Sequence, residues 1–545
     1  MPDQIFSREP PIWNGPLFAR LHAGFRGRIC KGVGFFMLTI DRLSITHRRD
    51  LREILSGFSL LLGPGERAVL IGEEGNGKST LLRLIHDPAS VEGYAEWSGE
   101  VSTGGRTGYL PQELDPTQLS RPARELFEAS AGFMSLTPKE RAALSRELGL
   151  PLSCFTAQRP LREFSGGERI KMQLACIAAE QPELYLLDEP SNDLDLDSLE
   201  WLEGFILSRR EPVLFVSHDE TLIERTANVI IHLELLRRKT LPRATVARLP
   251  YRDYVEARYR SLARQEQAAR KEREEFEAKL ARYREIRQKV ESAQRGISRQ
   301  DPHGGRLLKK KMHTVQSMGR RFEKEREALT AMPETEEAIF LSFPSEAAVP
   351  NGKRILELAL PVLEVDGRVL ARDIELRVTG PERICIVGGN GAGKTTLLRR
   401  IALELLARRD IRAAYMPQEL GERLDTDESP VELLNASGSR AEEERIRAML
   451  GSLRYTSKEM EQPCRALSGG QRAKLLLASM ALEGAEVLIL DEPTRNLSPL
   501  SGPVIRELLR SFRGAVISVS HDRKFIGEVC TAVYELGPDG LCRIS

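Results

Sequence analysis

No stretch of this 545-residue sequence approaches the roughly 18 apolar residues that a membrane-spanning helix requires, so no membrane insertion is expected. Cysteine is sparse: seven residues, at 30, 154, 176, 385, 464, 530 and 542, with no Cys-x-x-Cys pair. That scatter excludes a disulfide framework and a zinc module, and it suits the reduced thiols of a cytoplasmic protein. Excess charge is missing as well, since 80 basic and 79 acidic residues leave a net +1. Any electrostatic address must therefore be local. Glycine and proline are both absent from residues 251–295, where Arg, Glu, Ala and Gln dominate. This length exceeds what one core can organise, and two or three domains are expected.

The segment without breakers predicts a helix which, fully formed, would extend roughly 67 Å at about 1.5 Å per residue. Phe276, Leu280, Tyr283, Ile286 and Val290 recur along it at helical spacing. Gly296 and the cluster Asp301-Pro302-His303-Gly304-Gly305 predict a turn. A second periodic run follows, with Leu308, Met312, Val315, Met318 and Phe322, and Pro333 ends it. The whole, over 251–332, reads as an antiparallel helical hairpin. Residues 282–321 hold 12 Lys/Arg against 3 Asp/Glu, a net of +9, so the rest of the chain carries 1 − 9 = −8. A charge run is often only a solvated face. Here Arg306, Lys309, Lys310 and Lys311 cluster beside the turn, which favours a nucleic-acid contact.

On either side of this hairpin the same motifs occur twice in the same order. Gly72-Glu-Glu-Gly75-Asn-Gly77-Lys78-Ser79-Thr80 and Gly388-Gly-Asn-Gly391-Ala-Gly393-Lys394-Thr395-Thr396 each follow a β-like apolar run. Both match the phosphate loop, whose glycines turn backbone N–H groups onto phosphates at a helix start. Lys78 and Lys394 are candidates for the β- and γ-phosphates, and Ser79 and Thr395 for Mg²⁺. Two apolar strands end in paired acids, Asp188-Glu189 and Asp491-Glu492. The first acid of each suits Mg²⁺ support and the second suits polarising the attacking water. Between loop and acids stand Ser165-Gly166-Gly167-Glu168 and Ser468-Gly469-Gly470-Gln471. Ser to Asp is 23 residues in both halves, and Asp to a later His (His218, His521) is 30 in both.

At this point the chain resembles the ATP-binding cassette superfamily, whose signature is Ser-Gly-Gly-Gln or a close variant. The resemblance implies that Gln112 and Gln418 are glutamine-loop residues assisting Mg²⁺, and that His218 and His521 are switch histidines. It further implies head-to-tail cassettes, with ATP between Lys78 and Ser468 and between Lys394 and Ser165. Two cassettes on one chain with a charged hairpin between them resemble the ABC-F proteins, members of which bind ribosomes and direct the hairpin toward tRNA. The expected fold is thus α/β: two ABC-type P-loop ATPase domains joined by a long antiparallel α-helical hairpin. The expected domains are cassettes at 37–240 and 355–545, a linker at 241–354, and an extension at 1–36 that is either a flexible arm or precedes a start at Met37.

ATP and Mg²⁺ are the implied cofactors, and rRNA and tRNA of the ribosome the implied partners of a monomer with an intramolecular cassette pair. The run from Asp491 through Thr494-Arg-Asn-Leu-Ser498 to Ser501, with Lys309-Lys-Lys-Met312, looks like the antibiotic-resistance branch typified by Lsa- and Vga-type proteins. Other readings are a housekeeping ABC-F translation factor, or the ATPase subunit of a transporter with a separate membrane partner. The chain departs from the superfamily at Ser498, where the first half has Asp195. It also lacks an aromatic at the usual adenine-stacking position, His47 being the nearest polar ring upstream of the first loop.

Overall fold

The computed structural model describes residues 38–192, 194–236, 240–296, 302–327, 343, 348–365, 367–435 and 437–544. The extension at 1–36 and the candidate start at Met37 lie outside them. The described residues form two compact units, one made of the chain up to Tyr251 and from 343 onward, the other of the helices between.

The first cassette opens with β1 (Leu38–His47) and β2 (Glu53–Leu62), followed by β3 (Arg67–Ile71), β4 (Ala95–Thr103) and β5 (Thr107–Leu110). Further on come β6 (Leu184–Asp188), β7 (Val213–Val216), β8 (Val229–Leu235) and β9 (Leu241–Ala247). Strands β2-β1-β4 make an antiparallel sheet, while a six-stranded sheet runs β5-β6-β7-β3-β8-β9. All neighbours in the six-stranded sheet are parallel except the β8–β9 pair. Every residue of β6, β7 and β8 is buried, as in parallel strands covered on both faces; β7 and β6 up to Asp188 read as apolar runs, whereas β8 also buries His232 and Glu234.

The second cassette repeats the plan. Its strands are β10 (Arg354–Val365), β11 (Arg368–Thr379), β12 (Arg383–Val387), β13 (Ala413–Met416), β14 (Val487–Asp491), β15 (Ala515–Val519), β16 (Ala532–Gly537) and β17 (Gly540–Arg543). Here the order is β13-β14-β15-β12-β16-β17, with a separate β10–β11 ribbon. In both sheets the strand that feeds the phosphate loop, β3 or β12, has a later strand on each side. Ligands gather at such crossover points, beyond the carboxyl ends of the strands.

The second unit holds the helices Tyr251–Gly296, 46 residues, and Pro302–Glu327, 26 residues. The later helix begins within the predicted breaker cluster: Pro302 to Gly305 are already helical, and Asp301 lies outside the described residues. Proline is at ease in a first helical turn, where its missing N–H has no partner to lose. The predicted end at Pro333 falls outside the described residues. Phe276, Val290 and Val315 are buried in the hairpin. Phe322 packs against Phe276 with ring centroids 6.1 Å apart and against Tyr283 at 5.4 Å. Ile286, counted on the same stripe, is instead exposed, because a 3.6-residue turn carries it to the edge of the seam. Arg306, Lys309, Lys310 and Lys311 are all exposed. No helix among the described residues is long and apolar enough to cross a membrane.

Removing the buried Phe276 ring takes away one of the two rings packed on Phe322 and leaves a cavity in the seam. Phe276→Ala should therefore lower the hairpin's local stability by about 3 kcal/mol. Hydrogen exchange is the check: faster exchange is expected in 251–296 and 302–327, with the strands of the body unchanged.

Candidate nucleotide sites between the cassettes

Both phosphate loops leave their strands through backbone that only glycine accepts readily. Gly72 has φ 142° and Gly77 φ 82°; Gly388 and Gly393 have φ 147° and 95°. A Cβ on Gly77 would stand 2.2 Å from Ile54 Cγ2, so that loop has neither the conformation nor the room for a side chain. Lys78 opens the helix Lys78–His86, and its Nζ donates to the carbonyls of Gly72 at 2.8 Å and Glu73 at 3.0 Å. Lys394 opens the helix Lys394–Leu406 and makes the same pair, 2.8 Å to Gly388 and 3.0 Å to Gly389. Each ammonium is thus held at the centre of its own loop.

The Ser-Gly-Gly segments start helices Gly166–Ala179 and Gly469–Leu482, and both starts are capping boxes. Ser165 N–H donates to Glu168 Oε2 at 2.9 Å while Glu168 N–H returns to Ser165 Oγ at 3.2 Å. Ser468 and Gln471 do the same at 3.0 and 3.4 Å. Glu and Gln are equivalent in this role, which explains how the two halves differ there without losing the turn. Gly167 lies against Ser198 and Gly470 against the Asn496 carbonyl, at distances that leave no space for a Cβ.

The paired acids sit at the ends of β6 and β14. Both glutamates, Glu189 and Glu492, hold a left-handed backbone with φ 50°, rare for a residue with a Cβ. Around them the two halves diverge. Ser79 Oγ donates to Asp188 Oδ1 at 2.9 Å, and Tyr109 to Oδ2 at 3.2 Å. His218 Nε2 is 2.9 Å from Glu189, and its Nδ1 donates to the Leu497 carbonyl of the other cassette at 2.6 Å. Burial opposes ionisation of Glu189, but His218 and Lys78 outweigh it and hold the carboxyl below its usual value. In the second half His521 Nε2 stands 3.9 Å from Glu492. Burial there pushes Glu492 up to about 8 and Asp491 up to about 6. Neither oxygen of Asp491 has a hydrogen-bond partner among the described residues. Gln418 lies 3.5 Å from the Thr395 hydroxyl, whereas Gln112 is exposed and takes no part in the equivalent cluster.

One cavity of about 940 Å³ has Lys394, Thr395, Thr396, Gln418, Asp491 and Glu492 on one wall and Ser165 and Gly166 on the other. A second, of about 30 Å³, is lined by Glu73 and Glu74 of the first loop and by Ser468 and Gly470. Each phosphate loop therefore faces the Ser-Gly-Gly turn of the opposite cassette.

Residues 55–192 and 371–495 match the ABC transporter family. The tylosin resistance ATP-binding protein TlrC of Streptomyces fradiae is 31% identical over 537 residues, covering 88% of this chain and 94% of TlrC. Human ATP-binding cassette sub-family F member 3 is 29% identical over 534 residues, covering 90% of this chain and 70% of its own. The chain belongs to the ABC-F family. The probable ATP-binding protein YheS of Escherichia coli is 28% identical over 530 residues, covering 91% and 78%. Among solved structures, the RNase-L inhibitor has the same fold, with a TM-score of 0.55 at 16% identity over 92% of this chain and 90% of that one. This ABC-F chain is an ATPase with two ATP-binding domains.

Sequence reasoning missed what holds its cassettes together. Arg506, buried, donates from Nη1 and Nη2 to Glu220 at 2.7 and 3.3 Å, and its Nε reaches Glu528 at 2.7 Å. Lys524 pairs with Glu220 at 3.0 Å and with Glu224 at 2.6 Å. Arg523 pairs with Glu203 and lies 3.6 Å from Asp219. Glu203 and Arg506 occupy the same place in the repeat, each 15 residues after the strand-end Asp. Glu220 and Arg523 are likewise equivalent, each 32 after it. The signal was available: matched positions with opposite charge in two halves that are meant to meet.

Arg506→Leu takes both guanidinium hydrogen bonds from the buried Glu220, leaving it only Lys524 among the described residues, and should lower stability by about 3 kcal/mol. Arg506→Leu with Glu220→Leu should recover most of that loss. Denaturant titration of the three proteins measures both changes, and a double variant no better than the single one would contradict the pairing.

Proposed function

We propose that this ABC-F ATPase acts on ribosomes in the cytoplasm and protects them from a bound inhibitor, using ATP binding to close its cassettes and hydrolysis to release them. The observation that carries this reading is the hairpin with its net +9 over 282–321 and its exposed Arg306, Lys309, Lys310 and Lys311. Such a surface suits the phosphate backbone of rRNA or tRNA, where contact weakens as salt rises. The tylosin resistance named for TlrC supports protection as the outcome.

Within the body, Lys78 and Lys394 neutralise the β- and γ-phosphates. The N–H groups of Gly72, Gly75 and Gly77, and of Gly388, Gly391 and Gly393, wrap them. Ser79 with Asp188, and Thr395 with Gln418 and Asp491, offer the oxygen donors that Mg²⁺ prefers, and the unpartnered Asp491 oxygens fit such a role. Gln112 would join the first set only by moving from its exposed position. When bound, Mg²⁺ supplies the charge that a transferring phosphoryl group needs. Glu189 and Glu492 polarise the attacking water, with His218 and His521 orienting them. Ser165 with Gly166 and Gly167, and Ser468 with Gly469 and Gly470, meet the γ-phosphate from the opposite cassette. Loss of that phosphate removes the bridge and allows opening.

Co-sedimentation with ribosomes tests the reading. Glu189→Gln/Glu492→Gln should bind ATP, stall hydrolysis, and pellet with ribosomes only when ATP is present. Adding Lys309→Gln/Lys310→Gln/Lys311→Gln should weaken pelleting and lower the slope of log affinity against log salt by roughly 2–3. ATP-independent behaviour would remove the power-stroke role. Absence of pelleting at any salt would turn the search to a membrane partner.

A further inference from the structure

The two phosphate loops differ where they touch the opposite cassette. After Gly388 the second loop has Gly389 and Asn390; after Gly72 the first has Glu73 and Glu74. Both acids are engaged across the interface. Nζ of the buried Lys474 is 3.1 Å from Glu73 Oε1. Glu74 Oε2 accepts from the Gly470 N–H at 3.1 Å, at the open start of helix Gly469–Leu482. A Cβ on Gly469 would stand 3.1 Å from that same oxygen, so the carboxylate lies directly against the Ser-Gly-Gly turn.

The other site is built differently. Lys171, six residues after Ser165 as Lys474 is six after Ser468, stands over the Trp201 ring at 4.8 Å instead. Asn390 N–H points to Asp195 Oδ2 at 3.4 Å. Ser498 takes the place of Asp195 in the second cassette, so no acid there opposes Glu74. The acid has moved from one side of the contact to the other. In the cavity beside Glu74, the buried hydroxyls of Ser498 and Ser501 have no hydrogen-bond partner among the described residues. Donors for an incoming anion are thus present but unused, and the helix-start N–H that would receive it is filled by the protein's own carboxylate.

We propose that Glu73 and Glu74 are positioning residues that latch the site containing Lys78 and Ser468. They hold the first phosphate loop on the opposite signature helix before nucleotide arrives. The terminal phosphate of ATP must displace Glu74 from the Gly470 N–H, whereas among the described residues no carboxylate of the opposite cassette accepts from the Ser165-Gly166-Gly167 turn in that way at the site containing Lys394. The latched site therefore takes up ATP more slowly and more weakly, and the open site loads first. This rests on placing Lys78 and Ser468 in one ATP site.

The full chain carrying Lys394→Ala, which silences the open site, isolates the latched one. Binding of a fluorescent ATP analogue with Mg²⁺ is then followed at equilibrium and by stopped flow. Glu73→Gly/Glu74→Asn, which rewrites the first loop as the second, should tighten binding and speed association, each by about tenfold, the scale of one charge contact. Glu74→Gln keeps the shape without the charge and should move both in the same direction; it decides alone if the double variant does not fold. Unchanged or weaker binding in the folded variants overturns the latch. Undiminished binding after Lys78→Ala in the same background overturns the site assignment instead, so the two failures are told apart.

Discussion

A buried guanidinium facing a buried carboxylate sets the terms for the rest of the body. Arg506 and Glu220 have each given up water; Glu220 is compensated by Arg506 and Lys524 of the other cassette, and Arg506 by Glu220 across the interface and by Glu528 of its own cassette. A pair of this kind contributes little net stability against an apolar isostere, but it is severe on misalignment, because a slipped interface leaves the buried Glu220 without its cations. Closure therefore has one register. That register brings His218 to the Leu497 carbonyl and the Gly470 N–H to Glu74. It also has one partner, since every acid in the cluster from Glu203 to Glu224 comes from the first cassette and Arg506, Arg523 and Lys524 come from the second. Two first cassettes would meet acid to acid.

Much of the fold was legible in the sequence for physical reasons. Parallel strands buried on both faces are mostly apolar, so β6 and β14 announce themselves, and the acids that end them stand out. Phosphate loops must use glycine where φ is positive, so Gly72, Gly77, Gly388 and Gly393 form a pattern that few other needs would produce. A helix of 46 residues must keep glycine and proline out of its interior, and this one meets its first glycine at its last residue, Gly296. What stayed hidden belongs to pairs distant in the chain. The coupling of Glu73 to Lys474 spans 401 positions, and no local periodicity reports it. Ile286 misled because spacing fixes an angle around a helix but not the width of the surface that covers it. The Gly304-Gly305 pair misled because glycine marks a turn statistically, while a preceding proline can start a helix straight through it.

The two sites are unequal in a consistent direction. Where Lys78 sits, the histidine is close to the glutamate, the carboxyl is held low, and the opposing turn already bears a carboxylate. Where Lys394 sits, the histidine stands back, burial raises both acids, and a large cavity remains. A duplicated cassette has been adjusted at contact points while the strands beneath were left alone.

That last contrast has a mechanical meaning. Glu189 N–H is tied to the Val216 carbonyl at 3.1 Å, and Glu492 N–H to the Val519 carbonyl at 2.9 Å. The left-handed corner that carries each glutamate is thereby pinned to the strand leading to its histidine, and the pinning is the same in both halves. The gap of 2.9 Å in one and 3.9 Å in the other must then arise beyond the pinned backbone, in side-chain torsions and the short arc that carries the imidazole. Such freedom is cheap to use and quick to reverse. The corner behaves as a fixed bearing with a movable pawl, so either half could pass between the two settings without disturbing its sheet.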